Sequence, residues 1–213
     1  MSAAPVDAAC LGERFFEQPE RVTRFAIALL ASVTLIAVRL AATSPVRPPT
    51  TSSSVDTTST TMTRLALGFN VLGRGIGRTV SLVAIAAMLL RPGRRRALGA
   101  FAAAEALTPL ASTMLKLVVD RPRPSGGLLT PHGSSFPSGH AAYAGTTFVA
   151  LVLVCTKPQR RRRRWWAAVA LGVAGMAWSR TRLGVHRPVD VTAGSLLGVG
   201  VSLLVFARAQ RRN

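Results

Sequence analysis

The residues able to do chemistry in this chain gather in three short stretches. The densest runs from Ser179 to Asp190 and packs Arg180, Arg182, His186, Arg187 and Asp190 between two apolar segments. Ionisable side chains at the mouth of membrane helices are costly to bury and mark functional sites. The second stretch, Pro137-Ser138-Gly139-His140, reads as a helix start. Ser138 is its N-cap, and the free N–H groups of Gly139 and His140 point at an anion. The third holds Lys116 and, after six residues, Arg123-Pro124. Lys116, Arg123 and Arg180 supply the positive charge and directed donors that a phosphoryl group requires. Pro188 suits a first helical turn, which sets Asp190 one turn beyond His186. A carboxylate on one ring nitrogen fixes the histidine tautomer and raises the basicity of the other nitrogen.

Taken singly, each feature has a plainer explanation. Arginines at a membrane face bind headgroups, lone histidines are satisfied polar residues, and Ser-Gly at a helix start is a cap. The case for a site rests on convergence, and convergence depends on the elements that carry these residues. Of 213 residues 49% are hydrophobic, and the net charge is +19. In a soluble protein such a charge would suggest nucleic acid. Here no nucleic-acid-binding motif accompanies it, and the arginines cluster between apolar stretches. The clusters are Arg91 with Arg94 to Arg96, Lys157 with Arg160 to Arg164, and Arg208 with Arg211 and Arg212. They recur at alternate connections, as the positive-inside rule expects of cytoplasmic loops.

The apolar pattern predicts an all-α integral membrane protein, a six-helix bundle. Residues 1–24 read as a cytoplasmic tail, and 25–213 as one membrane domain. Phe25 to Thr43 is the first span, about 28 Å of helix, and is read as uncleaved. Ser44 to Thr63 is rich in Thr, Ser and Pro and reads as a flexible extracytoplasmic loop. Leu65 to Leu90 is broken by glycines and by Arg74 and Arg78, which suggests an interfacial piece up to Gly77 and then a second span. Ala97 to Val119 is the third span, with a kink expected at Pro109. Within it Glu105 and Lys116 share a face, and Glu105 lies roughly 16 Å deeper, as a structural or protonated carboxyl rather than a catalytic one. Ser138 to Thr156, Trp165 to Ser179 and Val189 to Ala207 complete the six. Gly194 and Gly198 have a small-xxx-small spacing that suits helix packing.

Successive spans alternate direction, so the ends of odd spans and the starts of even spans share a face. Lys116, Arg123, Ser138 to His140, Arg180, His186 and Asp190 all fall on that face, opposite the arginine clusters. This puts the site outside the cytoplasm, with both termini inside. His132 has no such company and reads as a loop residue. Cys10 and Cys155 lie far apart on the cytoplasmic side, where a disulfide is not expected. No Cys/His set has metal-ligand spacing.

Together the three stretches resemble the three-part signature of the type 2 phosphatidic acid phosphatase superfamily. Lys116 with Arg123-Pro124, then Pro137 to His140, then Ser179-Arg180 with His186 and Asp190 match it at every position, in order and spacing. The resemblance implies a metal-independent, cofactor-free phosphatase acting through a phosphohistidine. His186 would be the nucleophile oriented by Asp190, and His140 the acid on the leaving oxygen. Lys116, Arg123, Ser138, Gly139 and Arg180 would hold the phosphate. The membrane spans favour the lipid phosphatase branch over soluble haloperoxidases of the same superfamily. Substrates of that kind include phosphatidic acid, phosphatidylglycerol phosphate and polyprenyl phosphates or diphosphates. A lipid phosphotransferase and a non-catalytic anion transporter are the competing readings.

Overall fold

The computed structural model describes residues 18–43, 59–73, 75–90, 95–155 and 159–211. These form seven helices: α1 (Pro19–Thr43), α2 (Thr60–Leu72), α3 (Gly75–Leu89), α4 (Arg95–Val119), α5 (Gly139–Cys155), α6 (Gln159–Arg182) and α7 (Pro188–Arg211). The described residues contain no strand. By length and apolarity α1, α4 and α7 can each cross a membrane, and α2 with α3 forms a further candidate span bent by 52°. Outward-facing Leu35, Val38, Leu117, Val118 and Leu171 are all more than half exposed. Such a belt would be an aggregation surface in water, and it is the ordinary outer face of a bundle in lipid. The chain is a multi-pass membrane protein.

Helix α7 is the axis of the bundle. It packs against α5, α1 and α4, and its buried positions recur from Asp190 to Ala207. The closest approach is to α5. A side chain on Gly198 would run into the backbone carbonyl of Ala142, and one on Gly194 into that of Ser138. With no Cβ at either position, the two backbones meet where the small-residue spacing predicts. Val33 and Ala37 of α1, Phe136, and Leu197 and Val201 of α7 form the core beneath the site. At the opposite end, Val22 and Ala26 pack with Leu203 and Ala207.

Several element limits differ from the sequence expectation. Helix α1 starts at Pro19 rather than near Phe25, because the Gln18 carbonyl accepts the N–H groups of Arg21 and Val22, and Val22 is buried against α7. Ser59 caps α2 by accepting the Met62 N–H, so the last four residues of the expected loop, 60–63, are helical. Residues 1–17 of the tail and 44–58 of the loop lie outside the described residues. Between α2 and α3 the chain turns at Gly73, which is pressed against His140 and Met176. Helix α4 continues through Pro109 to Val119. Helix α6 begins within the arginine run, at Gln159 rather than Trp165.

Candidate active site

The loop 120–138 joins α4 to α5 and folds back over the start of α7. Two backbone bonds fix it: Ser135 N–H donates to the Arg121 carbonyl at 2.8 Å, and Ser138 N–H donates to the Asp190 carbonyl at 2.9 Å. The peptide between Phe136 and Pro137 is cis, and Phe136 is fully buried. Loop and helix starts thereby converge on His186, which lies in the short turn between α6 and α7.

His186 is buried, and its Nδ1 lies 2.7 Å from the Ser135 carbonyl oxygen. A carbonyl only accepts, so Nδ1 carries the proton and Nε2 keeps its lone pair. Arg123 Nη1 lies 3.2 Å from Nε2 and donates to it. Burial holds the imidazole below its ordinary value of 6.5; Asp190 pulls back, and the positive charges of Arg123 and Arg180 push down. The ring is therefore neutral at pH 7, with its unprotonated nitrogen facing a guanidinium.

Arg123 is held by carbonyls along its length. Nε donates to Gly133 O at 2.9 Å, and the terminal nitrogens donate to Val185 O at 3.1 Å and to His132 O and Ser134 O at 3.3 Å. Lys116 Nζ donates to the same Ser134 carbonyl at 2.8 Å. These two cations thus share one acceptor beside His186. Arg180 is buried, and its Nη1 donates to Asn70 Oδ1 of α2 at 2.6 Å. Ser138 is buried at the start of α5, its hydroxyl 3.5 Å from the Ala141 N–H, a long N-cap contact. Gly139 is exposed beside it, and His140 faces the same opening as Lys116.

Asp190 differs from the sequence expectation. Its Oδ2 is 3.9 Å from His186 Nδ1, beyond hydrogen-bond range, because Ser135 O occupies that donor. The carboxylate instead accepts from Arg121 Nη1 at 2.7 Å and from the Arg187 N–H at 2.8 Å. It acts on the imidazole through space, and it anchors loop 120–138 to α7. Arg121 and Ser135 were not singled out by the sequence. Arg121 is one arginine among many, and Ser135 contributes through its backbone, which no side-chain pattern reveals. His132 enters only through its carbonyl. Arg187 Nη1 donates to Pro122 O at 2.8 Å, a loop contact.

Comparison with known proteins places this arrangement. The PAP2 superfamily matches over residues 97–213, more than half of the chain. The chain belongs to the PAP2 superfamily. That match takes in α4 from Ala97 onward, α5 to α7 and every residue of the cluster around His186. The decaprenylphosphoryl-5-phosphoribose phosphatase of Mycolicibacterium smegmatis is 39% identical to this PAP2 chain over 117 residues, 53% of the chain and 60% of the relative. The undecaprenyl-diphosphatase of Sulfolobus acidocaldarius is 38% identical over 74 residues, 35% of the chain and 33% of the relative. The chain thus spans less than two thirds of the length of these curated relatives. In fold it is similar to the crystal structure of a transmembrane PAP2-type phosphatidylglycerolphosphate phosphatase from Bacillus subtilis. The TM-score is 0.61 at 22% identity, covering 92% of this chain and 97% of the other.

Proposed function

We propose that this PAP2 protein is a lipid phosphate phosphatase working through a phosphohistidine. The observation that carries the reading is the hydrogen-bond frame of His186, with Nδ1 2.7 Å from Ser135 O and Nε2 3.2 Å from Arg123 Nη1, which favours a free lone pair on Nε2. In the first half-reaction Nε2 forms a bond to phosphorus as the bond to the leaving oxygen breaks, and His140 delivers its proton to that oxygen. Lys116, Arg123 and Arg180, with Ser138 and Gly139, hold the phosphoryl oxygens, whose charge grows in the transition state. In the second half, water gives a proton to His140 and its oxygen to phosphorus, and the electron pair of the broken P–N bond returns to Nε2. Asp190 stabilises the imidazolium that forms in between. Substrates are phosphomonoesters or diphosphates carried by a lipid, the class named in the matched relatives. Site and loop 120–138 lie at the extracytoplasmic face, with both termini in the cytoplasm.

The test is phosphate release from detergent-solubilised phosphatidic acid in the presence of EDTA. Release by the native protein and loss to background in His186→Ala are expected. Undiminished turnover by His186→Ala, or strict dependence on added divalent metal, would overturn the mechanism.

A further inference from the structure

A cavity of about 330 Å³ extends from Lys116 and His140 into the bundle, between α3, α4 and α5. His186 and Arg123 do not line it. In an in-line displacement the nucleophile and the leaving oxygen lie on opposite sides of phosphorus. With His186 as nucleophile and His140 beside the leaving oxygen, the cavity lies on the leaving-group side.

Its α4 wall is polar over three turns: Glu105, Thr108, Ser112 and Thr113, then Lys116. Pro109 lies on the same wall and lacks the N–H that would bond the Glu105 carbonyl, leaving that acceptor without its usual helical donor. Ser112 is 4% exposed, and its hydroxyl has no partner. Most buried hydroxyls are bonded, so a lone one in the wall of a cavity marks a polar position that a ligand atom can complete. At the inner end Glu105 accepts from Thr147 Oγ1 at 2.9 Å and pairs with Arg78 at 3.9 Å, and Arg78 lies 4.8 Å over the Tyr143 ring. Polar walls inside a membrane bundle face water or a substrate path.

Resting on the phosphatase reading, we propose that this cavity is the leaving-group subsite and that it selects a hydroxylated unit, a sugar or polyol. A carboxylate, a guanidinium, the unpartnered Ser112 hydroxyl and an aromatic ring together match vicinal hydroxyl groups, which both donate and accept; the Thr108 hydroxyl is already bonded to Thr146 at 2.8 Å. They do not match the second phosphate of a diphosphate, because any phosphate reaching Arg78 would meet the Glu105 carboxylate at close range. A leaving group bearing only acyl chains would leave the Ser112 hydroxyl unpaired. The size is that of a small-molecule pocket, about 300 Å³ or more.

The experiment compares kcat/KM in detergent for three substrates: a prenyl-phosphoryl sugar phosphate, phosphatidic acid and a prenyl diphosphate of matched chain length. The sugar phosphate is expected to be preferred by at least about tenfold over each of the others, the scale of one or two completed buried hydrogen bonds. Ser112→Ala removes no existing bond, and Glu105→Gln keeps an acceptor for Thr147. Both are expected to shrink the preference severalfold or more. Equal or greater turnover of the diphosphate, or a preference unchanged in both variants, would overturn the subsite while the His186→Ala control on phosphatidic acid still upholds the phosphatase. Hydrolysis of none of the three by folded native protein would overturn both.

Discussion

At His186 the balance of forces sets a proton affinity that can be measured. Burial lowers it most, Asp190 opposes this, and Arg123 reinforces it. A histidine NMR titration should therefore find His186 titrating below 6.5. Arg123→Met should move that value up by removing a cation, and Asp190→Asn should move it down by removing the opposing charge. Opposite shifts would mean that the charges do not act on the ring as placed. Stability carries the same sign. Between the lowered folded value and the ordinary 6.5 the unfolded chain binds more protons, so stability falls as pH drops through that window. Arg121 is the second residue-scale case. Its 2.7 Å bond to fully buried Asp190 means that Arg121→Met strands a carboxylate with only the Arg187 N–H. Breaking a buried pair from one side costs about 3–5 kcal/mol. A lower melting temperature is expected, largely relieved in the Arg121→Met/Asp190→Asn double variant, and additive losses would deny the coupling. The residues of the signature were legible because their types and spacings are distinctive. Arg121 was not, since only the folded loop reveals which of several nearby arginines reaches Asp190.

Among the elements, the helix contacts that position the site are backbone contacts, and glycine reports them. Gly198→Ala sets a methyl group against the Ala142 carbonyl and must push α5 from α7, carrying Ser138 and His140 with it. Overpacking of this kind costs about 1–3 kcal/mol or more, and a lower melting temperature with reduced activity is expected. Gly99 in α4 has open space where a methyl group would stand, so Gly99→Ala should be neutral or stabilising by up to ~1 kcal/mol. A thermal melt of both variants checks the contrast, and equal effects would mean the glycines were not distinguished by packing. The sequence made the apolar centres of the helices visible, along with the Gly194 and Gly198 spacing. It did not mark where helices end. Arginine is a good helix former, so α6 runs back through the charged segment to Gln159, where hydropathy alone saw a loop. Likewise, Val22 joins α1 because α7 covers it, a tertiary effect with no local signal.

For the whole molecule the two ends of the bundle differ in kind. One end gathers Lys116, Ser138, His186 and Asp190 where α4 finishes and α5 and α7 begin. At the other, Arg95 and Arg96 from the start of α4 line one groove with Gln210 near the end of α7, and exposed Arg164, Arg208 and Arg211 belong to α6 and α7. Because cationic loops are retained in the cytoplasm, this asymmetry supports the proposed orientation, and its weight comes from the number of arginines rather than from any single one. The orientation also suits the chemistry. In the proposed orientation a site outside the cytoplasm would meet lipid-borne phosphates without exposure to the soluble phosphate esters of the cell interior. Single cysteines in a background with Cys10→Ser and Cys155→Ser give the test. Thr130→Cys, in the exposed loop beside the site, should react with a membrane-impermeant maleimide in intact cells. Gln210→Cys, at the arginine-bearing end, should react only after permeabilisation. The reverse pattern would turn the site toward the cytoplasm, and labelling of both in intact cells would mean that the chain has no single orientation.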